Sequence, residues 1–66
     1  MVLQLETVRE INTACWANVN GKNDGVYCWT PTKMLYRVIR ARTVRGRLQV
    51  CTVSGSWVLP SIVYSL

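Results

Sequence analysis

Histidine is absent from this 66-residue sequence, and only Glu6, Glu10 and Asp24 are acidic. Histidine is the most common general acid or base and the most common metal ligand in proteins. A catalytic pair of carboxylates, or a metal bound by carboxylates, also needs more acidic residues than these three supply. We therefore expect a protein without enzyme activity, without a cofactor and without a metal site.

The cysteines are few and odd in number: Cys15, Cys28 and Cys51. A secreted disulfide framework normally has an even number, and a zinc site would need a fourth ligand. The first residues also lack the charged and then apolar pattern of a signal peptide. We expect buried cysteines that act as small hydrophobic residues in a reducing cytoplasm, with a Cys15–Cys28 disulfide as the alternative.

Charge is missing from residues 48–66, a stretch of 19 residues that approaches the length of a membrane-spanning helix. This stretch contains Gly55, Pro60 and several serines, which are unfavourable in a single helix facing lipid. We therefore do not expect a membrane partner.

The positive charge is concentrated in one segment. The net charge is +5, and residues 33–47 hold six cations and no acid. These cations are Lys33, Arg37, Arg40, Arg42, Arg45 and Arg47. Guanidinium groups bind phosphate in a bidentate manner and stack on bases, so this basic block predicts a nucleic-acid partner, with DNA favoured over RNA.

The length allows one small domain over residues 1–66, and half of the residues are hydrophobic. Ten valines and six threonines favour a mostly β fold. Turn residues predict a strand–loop–strand unit over residues 13–29 and further strands over residues 48–53, 57–59 and 62–64. Residues 2–11 fit either a short N-terminal helix or a strand. Without phenylalanine, we expect tryptophans, Trp57 above all, to fill part of the core.

Residues 33–45 have two interpretations. In the first, Thr30 caps a helix that begins at Pro31, with Leu35, Val38 and Ile39 on its apolar face. In the second, residues 36–43 form a strand that turns at residues 44–47 and pairs with residues 48–53. The periodicity favours the helix and the residue propensities favour the strand.

The C-terminal half resembles the small five-stranded barrels of the Src-homology-3-like class. The resemblance covers about residues 26–64: a strand with Tyr36-Arg37, a glycine turn, a second strand, and the sequence Trp57-Val58-Leu59-Pro60-Ser61-Ile62-Val63. Within that class it is most similar to Tudor and KOW-type modules and to the C-terminal DNA-binding barrel of retroelement integrases. The resemblance implies a small β-barrel that binds nucleic acid or peptides.

A second resemblance is to the excisionase-type winged helices. Tyr36-Arg37-Val38-Ile39-Arg40 is similar to their recognition helix, and Trp57-Val58-Leu59-Pro60 is similar to the end of their wing. Thr7-Val8-Arg9-Glu10 also resembles the start of their first helix. This resemblance implies an α+β winged helix that binds duplex DNA.

The expected function is a small, regulatory or accessory nucleic-acid-binding module. The six cations of the basic block would contact phosphates, and Tyr27, Trp29 and Tyr36 would offer rings for base stacking. A protein-interaction module that binds a peptide or forms a homo-oligomer is the alternative.

Overall fold

The computed structural model describes residues 2–66 as one six-stranded antiparallel sheet and one helix. The elements are β1 (Leu3–Leu5), α1 (Val8–Val19), β2 (Val26–Trp29), β3 (Leu35–Val44), β4 (Arg47–Thr52), β5 (Trp57–Val58) and β6 (Ile62–Ser65). The strand order is β1-β6-β2-β3-β4-β5. The mostly β prediction is confirmed, with six strands in the sheet instead of five. None of the helices in the described residues is long and apolar enough to cross a membrane.

The helix α1 begins at a capping box. Thr7 Oγ1 accepts a hydrogen bond from the Glu10 backbone N–H at 3.0 Å, and Glu10 Oε1 accepts one from the Thr7 N–H at 3.0 Å. Backbone hydrogen bonds from Glu6 and Thr7 hold the pKa of the Glu10 carboxyl below its ordinary value. This cap and the apolar spacing of Val8, Ile11 and Cys15 outweigh the β propensity of the segment. The prediction of a strand over residues 13–19 is therefore wrong.

Residues 33–45 form a strand and its turn, and the helical interpretation is wrong. Thr30 does not cap a helix, because its backbone oxygen accepts from Lys33 N–H and its hydroxyl accepts from Met34 N–H. These bonds make a turn in which Lys33 has a φ of 64°. Since Tyr36 and Arg40 lie in β3, the recognition helix of the winged-helix alternative does not exist here.

A β-bulge interrupts the pairing of β3 with β4 between Val38 and Arg40. The bulge places one extra residue on β3, so Val38 and Ala41 are both buried while Ile39 is exposed. Strict alternation along the strand would put Arg37, Ile39 and Ala41 on one face, and the bulge separates Ala41 from the other two. The predicted hairpin itself is confirmed, with Val44 paired to Arg47 across its turn.

The second half of β3 lies next to the helix instead of another strand. The β2 partners of β3 end at Val38, and Ala41 lies beyond them. The Asn12 side chain replaces the missing strand: its Nδ2 donates to the Ala41 oxygen at 3.2 Å, and its Oδ1 accepts from the Ala41 N–H at 2.8 Å. One turn later, Cys15 Sγ lies 3.6 Å from the Val38 oxygen as a hydrogen-bond donor.

The core consists of small and medium-sized side chains. Its buried members are Leu5, Ile11, Cys15, Val26, Cys28, Val38, Ala41, Val50 and Val63. All three cysteines are free and buried, as predicted. The tryptophans are not in this core, because Trp16 is 61% exposed, Trp29 is 40% exposed and Trp57 is half-buried. The expectation that tryptophan fills the core is therefore wrong.

The sheet curls strongly enough to bring distant strands together. A hollow of about 200 Å³ is lined by Leu5 of β1, Leu48 of β4 and Val63 of β6, together with Pro60 between the last two strands. The strand β4 is separated from β1 and β6 by two intervening strands or more in the sheet order. Because residues of β1, β4 and β6 line the same hollow, the curved sheet encloses the core together with α1.

We predict that Asn12→Ala lowers the free energy of unfolding by about 2–3 kcal/mol, because it leaves two backbone groups of Ala41 without partners. Urea unfolding followed by circular dichroism would measure this loss. Thr13→Ala is the control, since Thr13 is exposed on the same helix. Equal losses in the two variants would contradict the role assigned to Asn12.

We also predict a loss of stability at alkaline pH that depends on Cys15. Burial raises the pKa of the Cys15 thiol from 9.0 to about 11. The unfolded chain therefore ionises this thiol first, so its contribution is complete below about pH 9 and declines as the pH approaches 11. Urea midpoints across this range should fall more steeply for the natural chain than for Cys15→Ala. Parallel pH profiles would contradict the assignment.

Candidate nucleic-acid interface

Four of the six predicted cations lie together around the β3–β4 hairpin. Arg40 and Arg42 belong to β3, Arg45 to the turn, and Arg47 begins β4. All four side chains are exposed. We call these four residues the arginine surface, and we call the side of the sheet that is turned away from the core its outer face.

Trp57 holds two members of the arginine surface in place. The Arg42 guanidinium carbon is 3.8 Å from the centre of the Trp57 ring, and that of Arg40 is 5.4 Å away. Arg42 Nε also donates a hydrogen bond of 3.0 Å to Gln49 Oε1. Contacts of a cation with an aromatic face contribute about 0.5–1 kcal/mol each at exposed sites. Both guanidinium groups are therefore positioned before any ligand arrives.

The strand register explains this arrangement. Cys51 pairs with Arg40 on one side and with Trp57 on the other, so the three residues form one row across β3, β4 and β5. Cys51 is 3% exposed at the middle of the row. The sequence did not identify Trp57 or Gln49 as site residues, because the bulge that sets this register has no visible signal in the residue pattern.

The hairpin turn contains an arginine where glycine or asparagine is usual. Arg45 has a φ of 52° and Gly46 a φ of 75°, as in the two-residue type I′ turn. A residue other than glycine whose backbone adopts the left-handed conformation loses about 1–2 kcal/mol of stability. Arg45, at the tip of the hairpin, therefore has an unfavourable backbone conformation.

The other two predicted cations lie apart from the arginine surface. Lys33 lies in the turn before β3, at the opposite end of the strand from Arg45. Arg37 donates from Nη2 to Asn18 Oδ1 at 3.0 Å, and its guanidinium carbon lies 6.0 Å from the centre of the Tyr27 ring. The prediction of a single compact basic block thus holds for four of its six residues.

The three aromatic residues predicted for base stacking are also distributed over the fold. Tyr27 stacks on Tyr64 at 5.9 Å between ring centres, in the same row as Arg37. Trp29 pairs with Ile62 and with Leu35 on the outer face. Tyr36 is half-buried and packs against the core. The aromatic ring in contact with the arginine surface is that of Trp57.

No carboxylate in the described part of the chain forms a hydrogen bond with the arginine surface. Arg42 donates instead to the neutral amide of Gln49, and the neighbouring Arg37 donates to that of Asn18. Two of the acids, Glu6 and Glu10, lie at the start of α1, and Asp24 lies in the loop between α1 and β2. Phosphate oxygens would thus meet guanidinium groups that no bonded carboxylate neutralises.

Within residues 2–66, no group of three or more histidine, cysteine or acidic side chains is placed to hold a metal ion. Burial also raises the pKa of the Cys28 thiol, against a backbone hydrogen bond from Tyr36 that lowers it. A neutral thiol is a poor metal ligand and a poor nucleophile, because the thiolate is the reactive form.

No protein-family model matches the chain, and comparisons with curated proteins and with solved structures likewise give no significant match. The function must therefore be inferred from the geometry of the chain itself.

We predict a measurable coupling between Arg42 and Trp57. A double-mutant cycle with Arg42→Gln and Trp57→Leu should give an interaction energy of about 0.5–1 kcal/mol, because the two side chains are in direct contact. Unfolding in urea supplies the four free energies. Arg47→Gln with Trp57→Leu is the control cycle, and coupling of the same size there would contradict the proposed stacking.

Proposed function

We propose that this chain is a small, non-catalytic protein that binds nucleic acid through the arginine surface, with DNA favoured over RNA. The observation that supports this most is the grouping of Arg40, Arg42, Arg45 and Arg47 on one exposed hairpin, to which no acid of the described residues is hydrogen-bonded. A surface that serves only for solubility normally mixes both signs of charge.

The packing on Trp57 supports a role in phosphate binding. A free arginine loses side-chain entropy when it binds, and this loss weakens the contact. Arg40 and Arg42 have already lost part of that freedom by lying over the Trp57 ring. Contacts of this kind fix the position of a phosphate backbone and carry no sequence information themselves.

We also propose that the sheet is a variant of the Src-homology-3-like barrel, extended by β1 and α1. The run β6-β2-β3-β4-β5 supplies five consecutive antiparallel strands. The short link through Pro60 joins β5 to β6, and the hollow around Leu48 supports a strong curl of the sheet. In this proposal the arginine surface occupies the outside of the barrel wall.

A second candidate function is a contact with another protein, and one observation favours it. The row of Ile62, Trp29 and Leu35 lies on the outer face, and the three side chains are 37%, 40% and 48% exposed. Uncharged apolar side chains grouped in this way are typical of protein contacts. This row involves other residues than the arginine surface, so the two functions are compatible.

The triple variant Arg40→Gln, Arg42→Gln and Arg45→Gln tests the first function. Affinity for a labelled duplex should fall at least tenfold, and the log–log salt slope of about −3 to −4 should flatten by about 2–3. Glutamine keeps much of the aliphatic side chain, so the circular dichroism spectrum should not change. Fluorescence anisotropy at several salt concentrations would measure both quantities.

The matched control is Arg9→Gln, Lys22→Gln and Lys33→Gln, which removes the same amount of charge outside the arginine surface. This control should lose much less affinity than the first variant. A folded first variant with undiminished affinity would contradict the proposal and leave the apolar row as the remaining candidate site.

A further inference from the structure

The end of the β3–β4 hairpin is largely exposed. Residues 42–47 are six consecutive exposed positions, although strand residues normally alternate between a buried and an exposed side. Ala41 and Val50 form the last buried pair before this end. Leu48, the partner of Thr43, still packs against the core, and Leu59 lies beside the end of the hairpin. The pair of Val44 with Arg47 and the turn between them therefore form a short two-stranded ribbon that projects beyond the core.

The dimensions of such a ribbon match one feature of nucleic acids. Two paired strands lie about 4.8 Å apart, and the major groove of B-form DNA, about 12 Å wide, admits a two-stranded ribbon. The major groove of A-form RNA is deep and too narrow for this purpose. The shape of the hairpin thus discriminates between the two kinds of duplex, which the charge alone does not.

The chemistry of the ribbon also favours a duplex over a single strand. Single strands are held mainly by bases stacked on free aromatic rings. The ring beside the hairpin is Trp57, and Arg40 and Arg42 already lie over it. At the tip, Arg45 and Arg47 stack on no aromatic ring among residues 2–66. Arginine is also the side chain that most often binds guanine in the major groove.

We infer that the β3–β4 hairpin enters the major groove of double-stranded DNA. Arg45 and Arg47 reach into the groove from the turn, and Arg40 and Arg42 bind phosphates at its edge. This inference rests on the proposed function and specifies its partner: B-form duplex DNA, bound by a ribbon instead of a helix.

Binding to three labelled probes of equal length and salt tests the choice of partner. Duplex DNA should bind at least tenfold more tightly than either single-stranded DNA or duplex RNA. Bound protein should also protect guanine N7 from methylation by dimethyl sulfate, because N7 lies in the major groove. Equal affinity for the three probes, or unprotected N7 with displacement by a minor-groove ligand, would overturn the inference.

A pair of single substitutions tests the role of the tip. Arg45→Asn removes the cation and leaves a turn sequence, Asn-Gly, that type I′ hairpins prefer. Lys33→Asn is its match, since Lys33 also has a positive φ and carries one charge, at the other end of β3. Affinity for duplex DNA should fall about five- to tenfold with Arg45→Asn and less than about twofold with Lys33→Asn.

The variants distinguish phosphate binding by the arginine surface from entry of the hairpin into the major groove. Loss of affinity in the triple glutamine variant, with equal effects of Arg45→Asn and Lys33→Asn, would overturn the groove inference and leave phosphate binding in place. Full affinity in the triple variant would overturn both. Circular dichroism on each variant confirms that the hairpin is still folded.

Discussion

The structure depends on how the backbone N–H and C=O groups in the second half of β3 find hydrogen-bond partners. Beyond Val38 this strand has no partner on the β2 side, and a buried N–H or C=O without a partner is costly. The Asn12 amide meets both groups of Ala41 with one side chain. That bidentate contact fixes α1 against the sheet edge, so Ile11 and Cys15 of the same helix can close the core. The position of α1, the closure of the core and the path of β3 thus all depend on the contact between Asn12 and Ala41.

The bulge beside this contact connects the fold to the arginine surface. Because it adds one residue to β3, Ala41 faces the core and Arg40 falls in the row of Cys51 and Trp57. Without the extra residue, the side chains beyond the bulge would exchange faces. The stacking of Arg40 and Arg42 on Trp57 is therefore a consequence of register. It also holds two of the cations in fixed positions, which supports the proposed binding of phosphate.

The small side chains of this protein form its core, and the tryptophans lie at its surface. Valine, cysteine and alanine supply most of the core, and burial of Cys15 and Cys28 raises the pKa of their thiols. The tryptophans lie at the surface: Trp57 supports arginines, and Trp29 joins an exposed apolar row. The ring of Trp57 is covered by these arginines, whereas Trp29 remains exposed and available for a contact.

The sequence by itself determined the local features. β-branched residues specified a mostly β chain, and the basic block contained four residues that do lie together. The β3–β4 hairpin was one of two interpretations, because residues 33–45 also fitted a helix. The sequence did not determine α1, because the capping box of Thr7 and Glu10 competes with strong β propensity and the outcome depends on packing. It also could not locate Trp57 or separate Lys33 and Arg37 from the arginine surface. Those results follow from the bulge and from strand pairing between residues far apart in the chain, and only the tertiary structure decides such pairing.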